Sequence, residues 1–549
     1  MTSTSKQRSI LALAVSAALA VGSTAPARAQ IFPAEIELRD LDGTNGFILN
    51  GATAFDNAGR SVSTAGDVNG DGIDDLIIGA DRFDANGEDS GRSYVVFGSA
   101  SGFPNPFELS SLDGSNGFAL DGAAGERSGD RVSAAGDING DGIGDLIVAA
   151  SRASANGGLS GRCYVVFGSN GGFPSTLDLS TLDGTNGFVL IGEAPLDRFG
   201  ISVSEAGDIN DDGFDDLIIG AHLADPSGTP GGGRSYVLFG SDTAFASPFD
   251  LTTLDGTNGF VLNGAAEFDQ SGYSVSSAGD INGDGIDDLL IGALRVDANG
   301  DDSGRSYVVF GTSAGFPAAI ELMTLNGTNG FALNGEADDD RSGRAVAAAG
   351  DFNSDGIDDL LIGAYRADAN GVDSGRSYVV FGSTDPFPSA FELSALTGEN
   401  GVALNGESAG NRSGSSVAGV GDVNGDGFED LLIGAPAAAA NGVSGAGRSY
   451  LVFGTGNFLL SPVDLSSLNG ANGVALNGRF LFGESGASVS GAGDINGDGV
   501  SDLIIGAPYA NVNGNNSGRA YVVFGTDRLF SDRFELAPAR ISDNSEIAQ

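Results

Sequence analysis

Short apolar runs recur along the whole chain, and each is bounded by Gly, Asp, Asn, Ser or Pro. In the first full copy they read "RSVSTAG", "DLIIGA", "SYVVFG" and "FEL". Such runs between turn residues predict β-strands, and no segment keeps the apolar period of about 3.6 residues that a helix needs. "LIIG" and "YVVFG" are apolar on both faces, which is typical of strands covered on both sides. The pattern predicts an all-β chain whose unit has four strands.

The four runs return at a nearly constant spacing. The acidic string before "DLIIGA" begins at intervals of 70, 71, 72, 71, 71 and 72 residues, at Asp67, Asp137, Asp208, Asp280, Asp351, Asp422 and Asp494. A fixed period of this kind is the signature of a repeat architecture. Seven units of four strands match the blades of a β-propeller, which usually has about 4–8 of them. We therefore predict a seven-bladed β-propeller of four-stranded antiparallel blades. An open β-solenoid, the alternative, has much shorter coils.

The "FEL"-type strand has eight copies, one more than the other elements. Its terminal copies are Ile36–Leu38 and Phe534–Leu536. We expect one of them to complete the last blade beside the first, because closure of the ring removes long exposed sheet edges.

The two ends of the chain differ from the repeats. Lys6 and Arg8 precede the apolar run "ILALAVSAALAVG", and "ARA" ends at Ala29, which predicts a secretory signal over residues 1–29. The propeller is then predicted over residues 30–536, with a short C-terminal tail over residues 537–549. No other segment could cross a bilayer. We expect a secreted, cell-surface or periplasmic protein that is not inserted in a membrane after signal cleavage.

The chain is strongly acidic and poor in cysteine. Its net charge is −47, and this becomes about −50 when the three positive residues of the signal are removed. Such a charge argues against nucleic acid and anionic membranes as partners, because both attract basic patches. Cys163 is the single cysteine, so an exported chain has no internal disulfide to stabilise it. We expect Cys163 to be a small residue packed on a strand, and calcium to be the stabilising agent.

The acidic string has the composition of a calcium loop. In "DINGDGIDD", residues 280–288, side-chain oxygens fall at positions 1, 3, 5 and 9, and position 7 offers its backbone carbonyl. Ca²⁺ takes such oxygen ligands from alternating positions of a tight loop. An EF-hand would continue to a Glu at position 12 and a helix, but here Asp at position 9 and a strand follow. The string therefore predicts a metal loop that bends a β-hairpin.

All seven copies keep this pattern, which predicts up to seven Ca²⁺ ions. Three carboxylates about 5 Å apart repel by about 3 kcal/mol per pair at an effective dielectric constant near 20, and a divalent ion reverses the sign. The alternative is that Asp, Asn and Gly form turns without a metal. The predicted ligands are Asp67, Asn69, Asp71, Ile73 and Asp75; Asp137, Asn139, Asp141, Ile143 and Asp145; Asp208, Asn210, Asp212, Phe214 and Asp216; Asp280, Asn282, Asp284, Ile286 and Asp288; Asp351, Asn353, Asp355, Ile357 and Asp359; Asp422, Asn424, Asp426, Phe428 and Asp430; and Asp494, Asn496, Asp498, Val500 and Asp502.

Position 8 of the loop differs between copies. It is acidic in five loops, but it is Gly144 in the second and Ser501 in the seventh. Because an additional carboxylate near the site strengthens cation binding, the second and seventh loops are expected to be the weakest.

The unit resembles the FG-GAP repeat of integrin α-subunit N-terminal propellers and their bacterial relatives. "FGISVSEAGDINDDGFDDLIIGAH", residues 199–222, keeps the FG, and "GAP" stands at residues 434–436 and 506–508. The resemblance covers about residues 31–536. It implies a seven-bladed propeller with Ca²⁺ loops between the first two strands of certain blades, and an N-terminal strand that completes the last blade. It also implies that ligands bind the face opposite the calcium loops.

Loops on the face without calcium are expected to vary and to carry binding residues. We predict a monomeric calcium-binding module of the adhesion type for a protein, cell-surface or glycan ligand, and not an enzyme. Seven near-equal blades repeat the same groups, whereas a catalytic site needs unlike groups together. His222 is the single histidine, and we expect it to be a surface loop residue. The alternatives are a polysaccharide lyase or hydrolase, or a lectin, acting through the same face.

Two repeated positions carry further expectations. The arginines that begin the "RSYVV"-type runs are expected to be structural, each pairing with an acid of its own or the adjacent blade. The residue after the repeated "GA" varies and marks the expected binding loops: Asp81, Ser151, His222, Leu294, Tyr365, Pro436 and Pro508.

Overall fold

The computed structural model describes residues 32–456 and 460–526. The predicted signal over residues 1–29, the strand copy Phe534–Leu536 and the tail over residues 537–549 lie outside the described residues. Within them the strands form seven β-sheets, which we call blades 1 to 7 after the order of their acidic loops. The first strand of each blade contacts the first strands of both neighbours, and blade 7 contacts blade 1. The prediction of an all-β, seven-bladed propeller is confirmed.

Each blade has four antiparallel strands that follow one another from the propeller axis outwards. The first strands are Ser61–Gly66, Arg131–Gly136, Ser202–Gly207, Ser274–Gly279, Ser342–Gly350, Ser416–Gly419 and Ser488–Gly493. The second strands are Asp75–Ala80, Asp145–Ala150, Asp216–Ala221, Asp288–Ala293, Asp359–Ala364, Leu431–Ala435 and Asp502–Ala507. The third strands are Arg92–Val96, Arg162–Val166, Arg234–Leu238, Arg305–Val309, Arg376–Val380, Arg448–Val452 and Arg519–Val523. The fourth strands, from blade 1 to blade 7, are Gly117–Asp121, Gly187–Ile191, Gly259–Asn263, Gly330–Asn334, Gly401–Asn405, Gly473–Asn477 and Gly46–Asn50.

The sequence pattern predicts that the "FEL"-type run is the fourth strand of its blade, and this prediction is wrong. The run crosses to the preceding blade and pairs in parallel with the fourth strand there, as Thr176–Asp178 does with Ala119–Asp121. In blade 2 this fifth strand is reduced to a single bridge between Leu190 and Phe249. The other parallel strands are Ala319–Glu321, Ala390–Glu392, Val463–Asp464, Glu35–Glu37 and Phe107–Glu108. Short 3₁₀ helices lie at Leu38–Asp40, Leu109–Ser111, Leu179–Thr181, Pro226–Gly228, Leu251–Thr253, Leu322–Thr324, Leu393–Ala395 and Leu465–Ser467.

The fourth strand begins at a glycine with a positive φ angle, a residue that the sequence pattern assigns to a turn, so the strand was not predicted. Gly117 has φ of +132°, and a Cβ at this position would lie 2.1 Å from the carbonyl oxygen of Val95. A turn-like glycine therefore opens a buried strand here, because no other residue fits against the third strand.

The ring is closed by an N-terminal strand. Gly46–Asn50 is the fourth strand of blade 7 and pairs antiparallel with Arg519–Val523. The expectation that a terminal "FEL" copy completes the last blade is wrong for the N-terminal copy, because Glu35–Glu37 lies beside Ala475–Asn477 of blade 6. The C-terminal copy lies outside the described residues. The closing strand that the resemblance implied is the "GFILN" run.

The hydrophobic core lies between adjacent blades. Leu76, Ile77 and Ile78 are fully buried, because the two faces of the second strand pack against two different neighbours. In blade 7 the ring of Phe47 stacks on that of Phe103 at 4.2 Å between centroids. No helix in the described part of the chain is long and apolar enough to cross a membrane.

Candidate metal loops and the opposite face

The blades have two distinct ends. The acidic loops join the first and second strands, as at residues 67–74, and this end of the propeller is called the loop face. The second-to-third strand loops and the connectors from each fourth strand to the next blade lie at the other end, the opposite face. The acidic loops therefore lie between the first two strands, as expected from the sequence.

Side chains of the acidic loop bind its own backbone. In the first loop, Asp67 Oδ1 accepts a hydrogen bond from Asp71 N (3.0 Å) and Asp67 Oδ2 accepts one from Gly72 N (2.8 Å). Asp71 Oδ1 accepts a hydrogen bond from Ile73 N (3.0 Å). The same three bonds recur in the other six loops. Positions 1 and 5 thus fix the turn, which holds the remaining oxygens of the loop in one place.

The aspartate at position 9 is fully buried in every loop. Asp75 Oδ1 accepts a hydrogen bond from Gly98 N (2.7 Å), and its Oδ2 accepts one from Val68 N (3.1 Å). Burial, together with the carboxylates of Asp71 and Asp67, raises the pKa of Asp75 to about 8. Burial raises the pKa values of the other six as well, which are Asp145, Asp216, Asp288, Asp359, Asp430 and Asp502. A buried carboxyl that favours its neutral form is a group that a bound cation would return to the charged form.

The donor set of the loops fits Ca²⁺ in composition. Among residues 32–456 and 460–526, no three Asp, Glu, His or Cys side chains form a metal cluster by themselves. Each predicted site, however, combines three carboxylates with an Asn oxygen and a backbone carbonyl. Asn353 Oδ1, Asn424 Oδ1 and Asp359 Oδ2 are buried without a hydrogen-bond partner. Buried oxygens without a partner are costly, and a hard cation would satisfy them.

The position-8 carboxylates link neighbouring loops. Asp215 Oδ2, in the third loop, accepts a hydrogen bond from the backbone N of Asp137 in the second (2.7 Å). Asp74 Oδ2, in the first loop, accepts a hydrogen bond from Asp494 N of the seventh loop (2.8 Å), where the ring closes. Asp287 and Asp358 accept equivalent bonds from the loops that precede them. This contact could not be read from the spacing within one loop.

Position 8 therefore supports the preceding loop in the ring. The sequence alone predicts that the absence of a position-8 carboxylate at Gly144 and Ser501 weakens their own loops, the second and the seventh. In the structure these two residues instead leave the preceding loops, the first and the sixth, without a carboxylate from the neighbouring blade. The first and sixth loops are therefore expected to bind calcium most weakly.

The residues after the repeated "GA" are mostly covered by the fold. Asp81, Ser151, His222, Leu294 and Pro508 are buried, and Tyr365 and Pro436 are half-buried. The ring of His222 packs edge-on against Tyr273 of the next blade, 5.2 Å between centroids. Burial, with nearby arginines, lowers the pKa of His222 to about 3. The expectation that His222 is a surface loop residue is wrong, because the second strand ends against the adjacent blade.

The repeated arginines are structural, as expected, in five of the seven blades. They pair with acids in Arg92–Asp121 (2.5 Å), Arg162–Glu126 (2.6 Å), Arg234–Glu193 (2.7 Å), Arg448–Glu407 (2.8 Å) and Arg376–Glu336. Arg305 and Arg519 donate instead to Asn334 Oδ1 (2.7 Å) and Asn50 Oδ1 (2.9 Å).

Cys163 lies in the third strand of blade 2 and is fully buried, and burial raises the pKa of its thiol.

One position in the connectors of the opposite face carries an exposed apolar side chain in four of the seven blades. Phe55, Leu196, Phe268 and Phe482 are 57–61% exposed, and their φ angles are +72°, +74°, +66° and +52°. The equivalent residues of the other blades are Gly125, Asp339 and Gly410, also at positive φ. Bulky residues rarely adopt this backbone conformation. The sequence signal, which was missed, is an apolar residue where other copies have Gly or Asp.

Comparisons with known proteins support the architecture. The model of the FG-GAP repeat matches residues 58–96, 128–166, 199–238, 271–309, 342–380, 413–452 and 485–523. Integrin alpha pat-2 of Caenorhabditis elegans is 29% identical over 44% of this chain and 18% of its own length. Integrin alpha-5 of Xenopus laevis is 31% identical over 43% of this chain and 20% of its own. Phosphatidylinositol-glycan-specific phospholipase D of Bos taurus is 33% identical over 36% of this chain and 22% of its own. The chain thus spans about a fifth of the length of these relatives.

Proposed function

Because this chain belongs to the FG-GAP repeat family, we propose that it is an exported, calcium-binding β-propeller that acts as an interaction module of the adhesion type. Its partner is a protein or a cell-surface glycan, and it binds the opposite face. The exposed apolar side chains Phe55, Leu196, Phe268 and Phe482 are the observation that carries this proposal.

These four residues combine two unfavourable features. A non-glycine residue in the left-handed region costs about 1–2 kcal/mol, and an exposed apolar side chain gains little from folding. Strain of this kind is kept where the surrounding structure uses it, most often at binding sites. Phe482 and Phe55 precede blades 7 and 1, and Leu196 and Phe268 precede blades 3 and 4. Two pairs of adjacent blades therefore present apolar contacts to the same side of the molecule.

Calcium has a structural role in this proposal. Bound ions would neutralise the three carboxylates of each loop, while Asp67-type side chains hold the turn through backbone bonds. The loop face would then be rigid, and the opposite face would be free to differ between blades.

An enzyme or a lectin on the same face is the competing hypothesis. The phospholipase D relative matches over only 22% of its own length, so its activity is not transferred to this chain. Cys163 is buried, and His222 has a pKa of about 3 and is neutral at physiological pH. Neither residue serves as a nucleophile or a general base.

Replacing Phe268 and Phe482 by asparagine tests the interaction face. Asparagine adopts the left-handed conformation readily, so each change should stabilise the fold by about 1 kcal/mol while it removes an apolar contact. We expect the thermal midpoint to rise by a few degrees. We also expect beads coated with the double variant to lose at least about tenfold in attachment to the surface of the producing cells, in calcium-containing buffer.

Leu460→Ser is the matched control. Leu460 is 77% exposed, and it lies in the connector that leaves the third strand of blade 6 at the loop face. Its replacement should leave attachment unchanged. Equal attachment by the wild type and the Phe268→Asn, Phe482→Asn variant would place the interaction elsewhere and contradict the proposal.

A further inference from the structure

A small cavity lies on the propeller axis at the opposite face. All seven blades line it with residues at or near the start of their first strands, and its volume is about 160 Å³. Five blades contribute a serine to this ring, whereas blade 2 has Arg131 and blade 5 has Ala345. The serines are Ser61, Ser202, Ser274, Ser416 and Ser488.

The serine ring ties adjacent blades together. Ser61 Oγ accepts a hydrogen bond from Val132 N of the next blade (3.1 Å), and Ser202 Oγ accepts one from Val275 N (3.0 Å). Ser274 and Ser488 do the same. A hydroxyl that accepts in this way keeps its own proton to donate. The cavity wall therefore offers hydroxyl donors.

Three arginines break the sevenfold pattern at this cavity. Arg60, Arg131 and Arg344 line it, and among the described residues no carboxylate oxygen lies within 4.0 Å of their guanidinium groups. Arg131 Nη1 donates to the backbone oxygen of Asp130 (2.6 Å), and Arg344 lies 4.9 Å from the ring centroid of Tyr273. Burial, followed by the nearby charge of Arg60, lowers the pKa of Arg131.

The acids nearest the cavity, Asp130 and Glu484, interact with these arginines through space but form no ion pair with them. The carboxyl group of Asp130 is buried and accepts hydrogen bonds from Ser151, and burial raises its pKa. Glu484 faces both Arg60 and Arg412, and burial raises the pKa of its carboxyl group. In a chain with a net charge of −47, three arginines without a paired carboxylate at one point are unexpected.

We propose that this axial cavity binds one phosphate or sulfate group, either free or at the end of a larger molecule. Guanidinium groups present paired N–H donors that match the oxygens of such anions, and the serine hydroxyls add further donors. The anion would also relieve the mutual repulsion of the three positive charges. The site is separate from the exposed apolar side chains and does not depend on the adhesion function.

Titration calorimetry of residues 30–549 with sodium sulfate, at constant ionic strength and in calcium-containing buffer, tests this inference. We expect one saturable site per chain. The variant Arg131→Ser introduces the serine found in five other blades, so it should fold, and it should weaken binding at least tenfold. Arg344→Ser introduces the serine that stands at the equivalent position of blade 6, Ser415, and it should also weaken sulfate binding at least tenfold. Glucose 6-sulfate, compared with free sulfate, distinguishes an esterified group from a free ion.

A second readout separates binding from folding. Without sulfate, Arg131→Ser should unfold at a higher temperature than the wild type because one repulsive charge has been removed, and added sulfate should raise its midpoint much less. Arg82→Ser, which removes an exposed positive charge of the same face away from the axis, should bind sulfate within twofold of the wild type. Failure of both free sulfate and its ester to bind, or an affinity for sulfate in Arg131→Ser and Arg344→Ser equal to that of the wild type, would overturn the inference.

Discussion

We expect the thermal midpoint of residues 30–549 to fall by at least about 10 °C when calcium is removed. At a calcium concentration 10 to 100 times the dissociation constant, each occupied site stabilises the fold by about 1.4–2.7 kcal/mol. Extracellular sites commonly have dissociation constants of about 10⁻⁴–10⁻³ M, so about 10 mM calcium is sufficient. Several such sites in one cooperative ring add to a large effect. Magnesium at equal ionic strength is the control, because Mg²⁺ requires a tighter octahedral set of ligands.

The pH dependence should distinguish a metal site from a simple acidic turn. The position-9 carboxyl groups, such as Asp75 and Asp288, have a pKa of about 8 in the fold against 3.8 in the unfolded chain. Between these values the folded state holds more protons, so the metal-free protein should become more stable as the pH falls from 8 to about 5. Protons and calcium compete for the same oxygens. The difference between the calcium-bound and metal-free midpoints should therefore shrink over the same range.

Two outcomes of these scans would contradict calcium binding at the acidic loops. One is an unchanged midpoint on addition of calcium, which would leave seven Asp, Asn and Gly turns that need no ion. The other is a calcium effect that stays constant from pH 8 to pH 5, which would place binding at carboxyl groups other than those at position 9.

The second large effect concerns closure of the ring. Phe47, in the closing strand Gly46–Asn50, is fully buried, and it stacks on Phe103 at 4.2 Å between centroids. Its replacement by alanine removes a ring that packs against both Phe103 and Phe524, the latter following the third strand of blade 7. We expect a loss of about 3–5 kcal/mol in the free energy of unfolding, the usual cost of removing a buried phenylalanine ring. Denaturant unfolding, together with proteolysis of the N-terminal segment, measures it.

Phe47→Val is the matched variant. Valine stands at the equivalent place in blades 5 and 6, as Val402 and Val474, and both are buried. It should cost much less than alanine and leave the N-terminal strand protected. If Phe47→Ala unfolds like the wild type and its N-terminal segment resists proteolysis, the closing strand is not held by this contact.

The period and the acidic loops were enough to predict the architecture. Blade number, the position of the loops between the first two strands and the two faces all follow from one repeated string. The fourth strand was missed because Gly46-type residues and the polar ends of these runs are typical of turns. Only the approach of the neighbouring strand, 2.2 Å from a Cβ built at Gly46 to Val522 O, explains that glycine.

Contacts between blades could not be predicted from one repeat unit. Asp215 belongs to the third loop in sequence but supports the second in space. His222 follows a buried strand and packs on Tyr273, which is 51 residues away. The arginines Arg60, Arg131 and Arg344 are far apart in the chain, and only closure of the ring brings them to one cavity. These features are the ones that distinguish one blade from another.

Counting the bound calcium ions shows whether the seven acidic loops are metal sites. Equilibrium dialysis of residues 30–549 up to about 10 mM calcium should give saturable binding of several ions per chain, up to seven. Asp288→Asn, which keeps the shape of the buried position-9 side chain, should bind one ion fewer. Asp211→Gly, which removes a charge from the third loop at a position that is Gly in five other copies, should bind the same number as the wild type. Binding that does not saturate, or a stoichiometry that Asp288→Asn leaves unchanged, would contradict the assignment of the seven loops as calcium sites.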